Sequence, residues 1–210
     1  MNSKTKSLIG KIGNNIRHGL LLQAISNRLA RIGIDISPYY LMKEGIGNFD
    51  PPTIKGDPAE YTTGFFGPED MVLINKQEPE CDLKGLLNSL NTGKKCFGVK
   101  YKEEIAAFCW ISFTAITYKT VSSPLKENDV YFTDMYTMKQ FRGKNIAAHL
   151  RYKCMILLMK MGKDTFYSVT ECFNTPAIRY KKKLNAKKQR LCLYLKLFNK
   201  YKWHFTLRTY

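Results

Sequence analysis

Residues 133–150 read TDMYTMKQFRGKNIAAHL, and the order of elements in this stretch decides the fold. An aromatic and β-branched strand, Asp129–Met138, leads through a short basic turn into Arg142-Gly143-Lys144-Asn145-Ile146-Ala147. Apolar spacing then predicts a helix from Gly143 to Met161. The first N–H groups of a helix have no internal partner and its dipole is positive there, so glycine with basic residues favours a bound pyrophosphate. The other reading is a plain connection with solvated charges.

The flanking patterns predict an α+β fold with a mixed, mainly antiparallel central sheet flanked by helices. The predicted strands are Lys95–Tyr101, Ile105–Thr114, Asp129–Met138, Thr165–Glu171, Arg190–Phe198 and Trp203–Tyr210. The predicted helices, besides the one after Asp129–Met138, are Pro68–Asn75, Asp82–Leu90 and Asn174–Leu184. Residues 36–67 are expected to be mainly loop, in which Tyr39–Met42 and Tyr61–Phe66 could each form a short strand.

The first residues form a separate pattern. Isoleucine and leucine recur at steps of three and four from Ser7 to Ile34 with basic residues between them, which predicts a basic amphipathic helix. Such a helix either packs on its own domain or lies on a membrane surface. We therefore expect an N-terminal helical extension, residues 1–35, before a domain of residues 36–210.

Charge is distributed unevenly along the 210 residues. The chain has 34 Lys and Arg against 17 Asp and Glu, a net charge of +17. Residues 139–210 contain 18 of these bases and only two of the acids, so nearly all of the excess lies in the last third. A field of this sign attracts polyanions: phosphorylated cofactors, nucleic acid, anionic lipid or an acidic protein.

Composition excludes several other classes of protein. With 44% hydrophobic and 13% aromatic residues, the chain has enough material for a core and is neither disordered nor a disulfide scaffold. No apolar run approaches the roughly 18–20 residues that span a membrane. Six cysteines lie far apart without a C-x-x-C pair, so we expect no metal site and a reduced, cytoplasmic location.

The segment Met138–Ala147, MKQFRGKNIA, resembles the acyl-CoA motif of the Gcn5-related N-acetyltransferases. That motif, R/Q-x-x-G-x-G/A, lies between the fourth strand and third helix of the family fold. Met138, Phe141 and Ile146 take its apolar places, and Asn145 replaces a glycine. Asparagine tolerates a left-handed backbone better than other residues with a Cβ atom, so the loop can keep its shape.

A second segment is similar to the same family, whose fifth strand is followed by N-x-x-A and then an aromatic-leucine-glycine pattern. Here Asn174-Thr175-Pro176-Ala177 begins the helix, Leu184 takes the leucine place, and Asn185 replaces glycine. Tyr180 lies one residue before the family tyrosine, whose place Lys181 takes. The resemblance covers about residues 68–210.

The resemblance implies an acyl-CoA N-acyltransferase fold and direct attack of an amine on the thioester of acetyl-CoA or another acyl-CoA, without a metal. It implies that the backbone of Tyr136, Thr137 and Met138 binds the pantetheine amides. It further implies that Arg142, Gly143, Lys144, Asn145, Ile146 and Ala147 hold the pyrophosphate and that Asn174 adds a contact.

Three residues are candidates for proton transfer. Glu171 is a candidate base or a partner of nearby lysines, and Asp134, which by alternation shares a face with Phe132 and Tyr136, belongs either to the cleft or to the core edge. Tyr180 either protonates the leaving thiolate or packs on its helix. Cys172 as a nucleophile and a catalytic His149 are much less favoured.

Three functions remain open at this point. The first is transfer of acetyl from acetyl-CoA to the amine of a small molecule, an amino sugar or amino acid. The second uses a long-chain acyl donor on an acidic acyl carrier protein, docked on a basic helix over residues 174–188. The third is a non-catalytic basic module for nucleic acid or an anionic membrane, although nucleic acid is disfavoured because no reading motif accompanies the lysines.

Overall fold

The computed structural model describes residues 28–29, 32–47 and 50–210. The strands are β1 Asp35–Glu44, β2 Tyr61–Phe66, β3 Lys95–Tyr101, β4 Glu104–Ser112, β5 Ala115–Tyr118, β6 Val121–Pro124, β7 Asp129–Thr137, β8 Thr165–Glu171, β9 Lys187–Leu197 and β10 Tyr201–Thr209. The helices of these ranges are α1 Pro68–Gln77, α2 Leu83–Asn91, α3 Ile146–Lys160 and α4 Thr175–Lys182. Eight strands form a mixed, mostly antiparallel sheet, and β5 and β6 form a separate hairpin. The predicted fold class is confirmed.

The chain divides into two compact units. Unit 1 contains the described residues up to Met42, with Val169–Lys182 and Lys187–Tyr210. Unit 2 contains Lys43–Ser168 and Lys183–Ala186. The division into an extension of residues 1–35 and a domain of residues 36–210 stays a prediction, because the helix predicted over Ser7–Ile34 lies almost entirely outside the described residues.

In unit 2 the strand order is β2–β3–β4–β7, all antiparallel, followed by the first half of β8 parallel to β7. Both faces of β4 are covered. Phe108 stacks on Tyr136, whose hydroxyl donates to Glu78 at the end of α1, whereas Cys109 contacts Cys154 of α3 on the other face. Helices α1 and α3 therefore pack on opposite faces of the sheet.

A buried ion pair joins the end of β1 to α3 within unit 2. Arg151 and Glu44 are each 1% exposed, and Arg151 Nε lies 3.5 Å from Glu44 Oε2. The guanidinium also lies 3.8 Å from the centre of the Phe132 ring. Nothing in the apolar spacing of the α3 sequence marked Arg151 as a core residue.

In unit 1 the order is β10–β9–β1 and then the second half of β8. β10 pairs antiparallel with β9 from Tyr201–Leu197 to Thr209–Arg190, with a register shift between Thr206 and Arg208. The turn between them has left-handed Phe198 and Asn199, with φ of 51° and 57°. None of the helices in the described ranges is long and apolar enough to cross a membrane.

Several predicted elements needed correction. β1 is a ten-residue strand rather than a short one, and the β5–β6 hairpin was missed because its residues are few and largely exposed. β9 begins at Lys187 rather than Arg190. α1 and α2 confirm their predictions to within two residues, and the carboxylate of Asp82 caps α2 by accepting from Gly85 N.

Candidate active site

The connection from β7 to α3 is a tight loop rather than a direct entry into a helix. Residues Lys139–Phe141 form a 3₁₀ turn, after which Gly143 has φ of 83° and Asn145 has φ of 66°. Two left-handed residues so close together cannot belong to an α-helix, so α3 begins at Ile146 and not at Gly143 as predicted. Met138, Phe141 and Ile146 are buried and anchor the two ends of the loop.

Asn145 adopts the backbone shape expected of the glycine it replaces, and its side chain is fixed on both sides. Its Nδ2 donates to Thr53 O at 2.8 Å, and its Oδ1 accepts from Lys183 Nζ at 2.8 Å. Both partners belong to unit 2. The amide is thereby committed to contacts within the protein.

The segment before β2 runs along this loop. Lys55 N donates to Lys144 O at 3.0 Å, and the His149 ring donates from Nδ1 to Pro52 O at 2.8 Å. Burial lowers the pKa of His149, which favours the neutral ring. His149 therefore has a structural contact, and residues 52–55 brace the loop from outside the recognised motif.

The two basic side chains of the loop fold back, Arg142 onto the end of β7 and Lys144 onto the 3₁₀ turn. Arg142 Nε donates to Thr137 O at 3.1 Å and its guanidinium lies 5.7 Å from the Tyr136 ring centre, while Lys144 Nζ lies 5.3 Å from the Phe141 ring centre. A β-carbon built on Gly143 meets no atom within 4 Å, so the space in front of the loop is open. The remaining motif residue, Ala147, lies in the first turn of α3.

A β-bulge lies in β7 beside this loop. β4 pairs Cys109 with Met135 and Ile111 with Phe132, so Trp110 alone is opposite Thr133 and Asp134. The bulge reverses the alternation: Phe132 packs against Arg151 of α3, whereas Tyr136 reaches the end of α1. The prediction that Asp134 shares a face with both was wrong for this reason. The Asp134 side chain is exposed.

The parallel ladder of β7 and β8 in unit 2 runs from Asp129–Thr165 to Phe132–Ser168. β7 continues to Thr137, and in this stretch it pairs with β4. Two buried hydroxyl oxygens, Thr133 Oγ1 and Ser168 Oγ, lie at the end of the ladder and have no hydrogen-bond partner among the described residues. Buried polar atoms of this kind are typical of a place that receives a ligand or water.

Glu78, at the end of α1, is a site residue that the sequence did not indicate. Its carboxylate is 7% exposed and accepts from Tyr136 Oη at 2.7 Å and Lys139 Nζ at 3.0 Å. These two hydrogen bonds lower the pKa of Glu78, and burial together with Glu78 raises the pKa of Tyr136 to about 12. Glu78 lies in the acidic stretch of residues 78–82, where no periodic pattern distinguishes it from Glu80, so only the folded chain shows this cluster.

The other candidate residues lie in unit 1. Glu171 ends β8 and Tyr180 lies on α4, both half-buried, and Asn174 Oδ1 accepts from Ala177 N at 3.2 Å as a helix cap. Burial is the main cause that raises the pKa of Cys172, which disfavours the thiolate a nucleophile needs.

The predicted helix Asn174–Leu184 is confirmed to within two residues, but the basic helix expected to dock a carrier protein does not extend to residue 188. α4 ends at Lys182, and Lys188 lies in β9 with its ammonium 3.8 Å from the Tyr40 ring centre. Lys181 is 3% exposed and donates to Val169 O at 3.1 Å and to Thr170 Oγ1. Contacts with the protein thus engage several of these lysines, whose burial the sequence did not indicate.

Comparison with known proteins identifies the class that this sheet and loop define. The model of the Acetyltransferase (GNAT) family matches residues 60–185, more than half of the chain. The chain therefore belongs to the GNAT family, whose members are N-acyltransferases. No curated protein gives a significant match.

Solved structures share the fold at low identity. A tandem GNAT protein from the clavulanic acid biosynthesis pathway is 12% identical, with a TM-score of 0.54 over 84% of this chain and 55% of that one. A GNAT-family acetyltransferase from Colwellia psychrerythraea is 12% identical, with a TM-score of 0.55 over 80% and 59%. A glucosamine N-acetyltransferase region of a fungal multi-domain β-N-acetylglucosaminidase is 14% identical, with a TM-score of 0.55 over 87% and 22%. The chain thus spans less than two thirds of each of these structures.

Proposed function

We propose that the chain transfers an acetyl group from acetyl-CoA to the amine of a small acceptor, an amino sugar or an amino acid. The observation that carries this proposal is the loop Arg142–Asn145. Two left-handed residues, open space in front of Gly143 and the first turn of α3 support a pyrophosphate site at this loop. The side chain of Asn145 is held by Thr53 and Lys183, so the replacement of glycine is compatible with phosphate binding.

The chemistry needs no covalent enzyme intermediate. The neutral amine attacks the thioester carbon, a C–N bond forms, the C–S bond breaks, and the ammonium proton leaves to a base while the thiolate takes up a proton. In this proposal the backbone of residues 136–138 binds the pantetheine amides. Asp134 and Glu171 stay the candidate bases and Tyr180 stays the candidate acid.

The carrier-protein alternative has less support than the sequence suggested. It required a continuous basic helix over residues 174–188, whereas α4 stops at Lys182 and Lys181 is buried. Membership of an enzyme family argues likewise against a non-catalytic module. Free acyl-CoA is therefore the donor that we propose.

Thermal unfolding with and without acetyl-CoA tests the proposal. At about 100 times its dissociation constant, a ligand that binds only the folded chain stabilises it by about 2.7 kcal/mol. Gly143→Val introduces a side chain in front of the loop and should abolish the shift. Gly162→Val is the matched control, because Gly162 at the other end of α3 has φ of 82° and equally open space, so both variants carry the same backbone strain.

Two outcomes would contradict the proposal. If acetyl-CoA gives no shift while an acylated carrier protein does, the donor is wrong. If acetyl-CoA shifts the melting temperature of Gly143→Val as much as that of the Gly162→Val control, acetyl-CoA binds elsewhere. A panel of amines that includes glucosamine, with release of free CoA thiol as readout, then ranks the acceptors.

A further inference from the structure

The β9–β10 hairpin of unit 1 has an apolar face with exposed aromatic side chains and an opposite face that packs on the protein. In its register Leu197 pairs with Tyr201, Leu195 with Trp203 and Leu193 with Phe205. Directly paired residues of antiparallel strands share a face, so six apolar side chains form one continuous surface. We call this surface, Leu193, Leu195, Leu197, Tyr201, Trp203 and Phe205, the hairpin apolar face.

The opposite face of the hairpin packs on the protein. Cys192 and Tyr194 are each 3% exposed, and His204 Nε2 lies 2.5 Å from Tyr39 Oη of β1. The aromatic side chains of the hairpin apolar face are instead open: Tyr201 is 50% exposed, Trp203 42% and Phe205 46%. Phe198 at the turn is 73% exposed. Exposed apolar patches of this kind mark interaction surfaces.

The charged side chains of the hairpin segment all have one sign. Residues 187–210 contain seven Lys and Arg and no Asp or Glu. Lys200 in the turn is exposed, and its ammonium lies 5.4 Å from the Tyr201 ring centre. Lys202 pairs with Lys196 and is therefore on the opposite face of the hairpin. Long basic side chains can reach charged headgroups while the neighbouring aromatic rings enter the interface.

We propose that the β9–β10 hairpin docks this protein on an anionic lipid membrane. Aromatic rings and leucines would enter the boundary between headgroups and acyl chains, and the lysines would contact the anionic headgroups.

Other occupants of the hairpin apolar face fit less well. A second copy carries the same net charge of +17, and residues 1–34 have six Lys and Arg without an acid, so like charges oppose both. Single-stranded nucleic acid would stack on the aromatic rings but gains nothing from the leucine row.

The intrinsic fluorescence of the full chain tests this directly. Its two tryptophans are Trp110, 4% exposed in the core of unit 2, and Trp203 on the hairpin apolar face. With vesicles of phosphatidylcholine and phosphatidylserine we expect co-sedimentation and a blue shift of Trp203 emission, which vesicles of phosphatidylcholine alone do not give and high salt reverses. Trp203→Phe should keep the sedimentation and lose the blue shift.

Matched variants separate the hairpin from other surfaces. Trp203→Ser with Phe205→Ser should weaken sedimentation about tenfold, whereas Val72→Ser on α1, at a side chain 51% exposed, should not. Lys200→Glu should weaken it at least about fivefold, and Lys202→Glu, on the opposite face of the hairpin, should weaken it less. Lys84→Glu on α2 changes net charge equally and should have a much smaller effect. Circular dichroism and thermal unfolding check that every variant folds.

Four results would overturn the proposal. Absence of sedimentation with anionic vesicles is the first. The second is sedimentation that survives the hairpin variants but is lost in Ile12→Glu with Ile16→Glu, which would assign the contact to the N-terminal segment. The third is self-association in solution that Trp203→Ser with Phe205→Ser abolishes while vesicles do not bind. The fourth is a response of Trp203 to a single-stranded oligonucleotide and not to vesicles.

Discussion

At the scale of single residues, two asparagines adopt the left-handed backbone for which glycine is the usual residue. Asn145 and Asn185 stand where the family has glycine, and both have left-handed backbones, with φ of 66° and 53°. The Asn145 side chain donates to Thr53, whereas the Asn185 side chain lies close to Gly47, where an added β-carbon would clash with Asn185 Nδ2 at 2.8 Å. At Asn145 the side chain makes hydrogen bonds that glycine could not make, and these offset the cost of a left-handed backbone.

Glu78 allows a prediction of pH dependence. The bonds from Tyr136 and Lys139 lower its pKa, so its stabilising contribution is complete above its ordinary value of 4.5 and is lost as the pH falls through the lowered pKa of the folded state. Glu78→Gln should therefore lower the urea midpoint at pH 7, and the difference from the wild type should shrink as the pH falls below 4.5. Urea unfolding at a series of pH values measures this.

Glu80→Gln is the control for that experiment. Glu80 lies 3.9 Å from the same Lys139 but its side chain is 81% exposed, so its removal should leave the urea midpoint almost unchanged. Equal effects of the two substitutions, or a Glu78→Gln effect that persists in acid, would show that the Glu78 charge is not held by Tyr136 and Lys139.

At the scale of elements, Lys181 joins α4 to β8. Its ammonium donates to Val169 O and Thr170 Oγ1 from a position that is 3% exposed. Hydrogen bonds from a charged group stabilise by about 1.5–3 kcal/mol, so Lys181→Met should lower the free energy of unfolding by about 2 kcal/mol. The adjacent Lys182 is exposed, and Lys182→Met should change it by less than about 0.5 kcal/mol. Similar values for both variants in urea unfolding would contradict this role of Lys181.

How much of these elements could be predicted depends on whether the signal is local. β3 and β8 have the predicted bounds because local signals encode them: a polar turn at residues 102–104 follows β3, and β8 is rich in β-branched residues that alternate in burial. The bulge at Thr133–Asp134 could not be predicted, since it is a mismatch between two strands distant in sequence. The spacing of the sequence motif located the loop correctly. The predicted start of α3 was three residues too early, because left-handed residues leave no apolar pattern in the sequence.

At the scale of the whole chain, the burial of charge was the property hardest to predict. Arg151, Glu44 and Lys181 are all at most 3% exposed, although their residue types favour the surface. Each is buried by partners from another element, such as Glu44 of β1 for Arg151 of α3. Counting charges along the chain therefore located the excess correctly but could not separate the solvated lysines from the structural ones.

The net charge of +17 makes salt act in two opposite directions. Salt screens repulsion among exposed cations, so raising its concentration from about 0.01 M to about 0.5 M should increase the melting temperature by a few degrees.

The same screening weakens the attraction of the protein for the phosphates of acetyl-CoA, so the dissociation constant of acetyl-CoA should rise. Melting curves and calorimetric titration measure the two trends. Dephospho-CoA, which lacks the 3′-phosphate, should show the smaller dependence of affinity on salt. If affinity is insensitive to salt, the basic residues around Arg142 and Lys144 do not serve the cofactor, and their charge must be assigned to another partner.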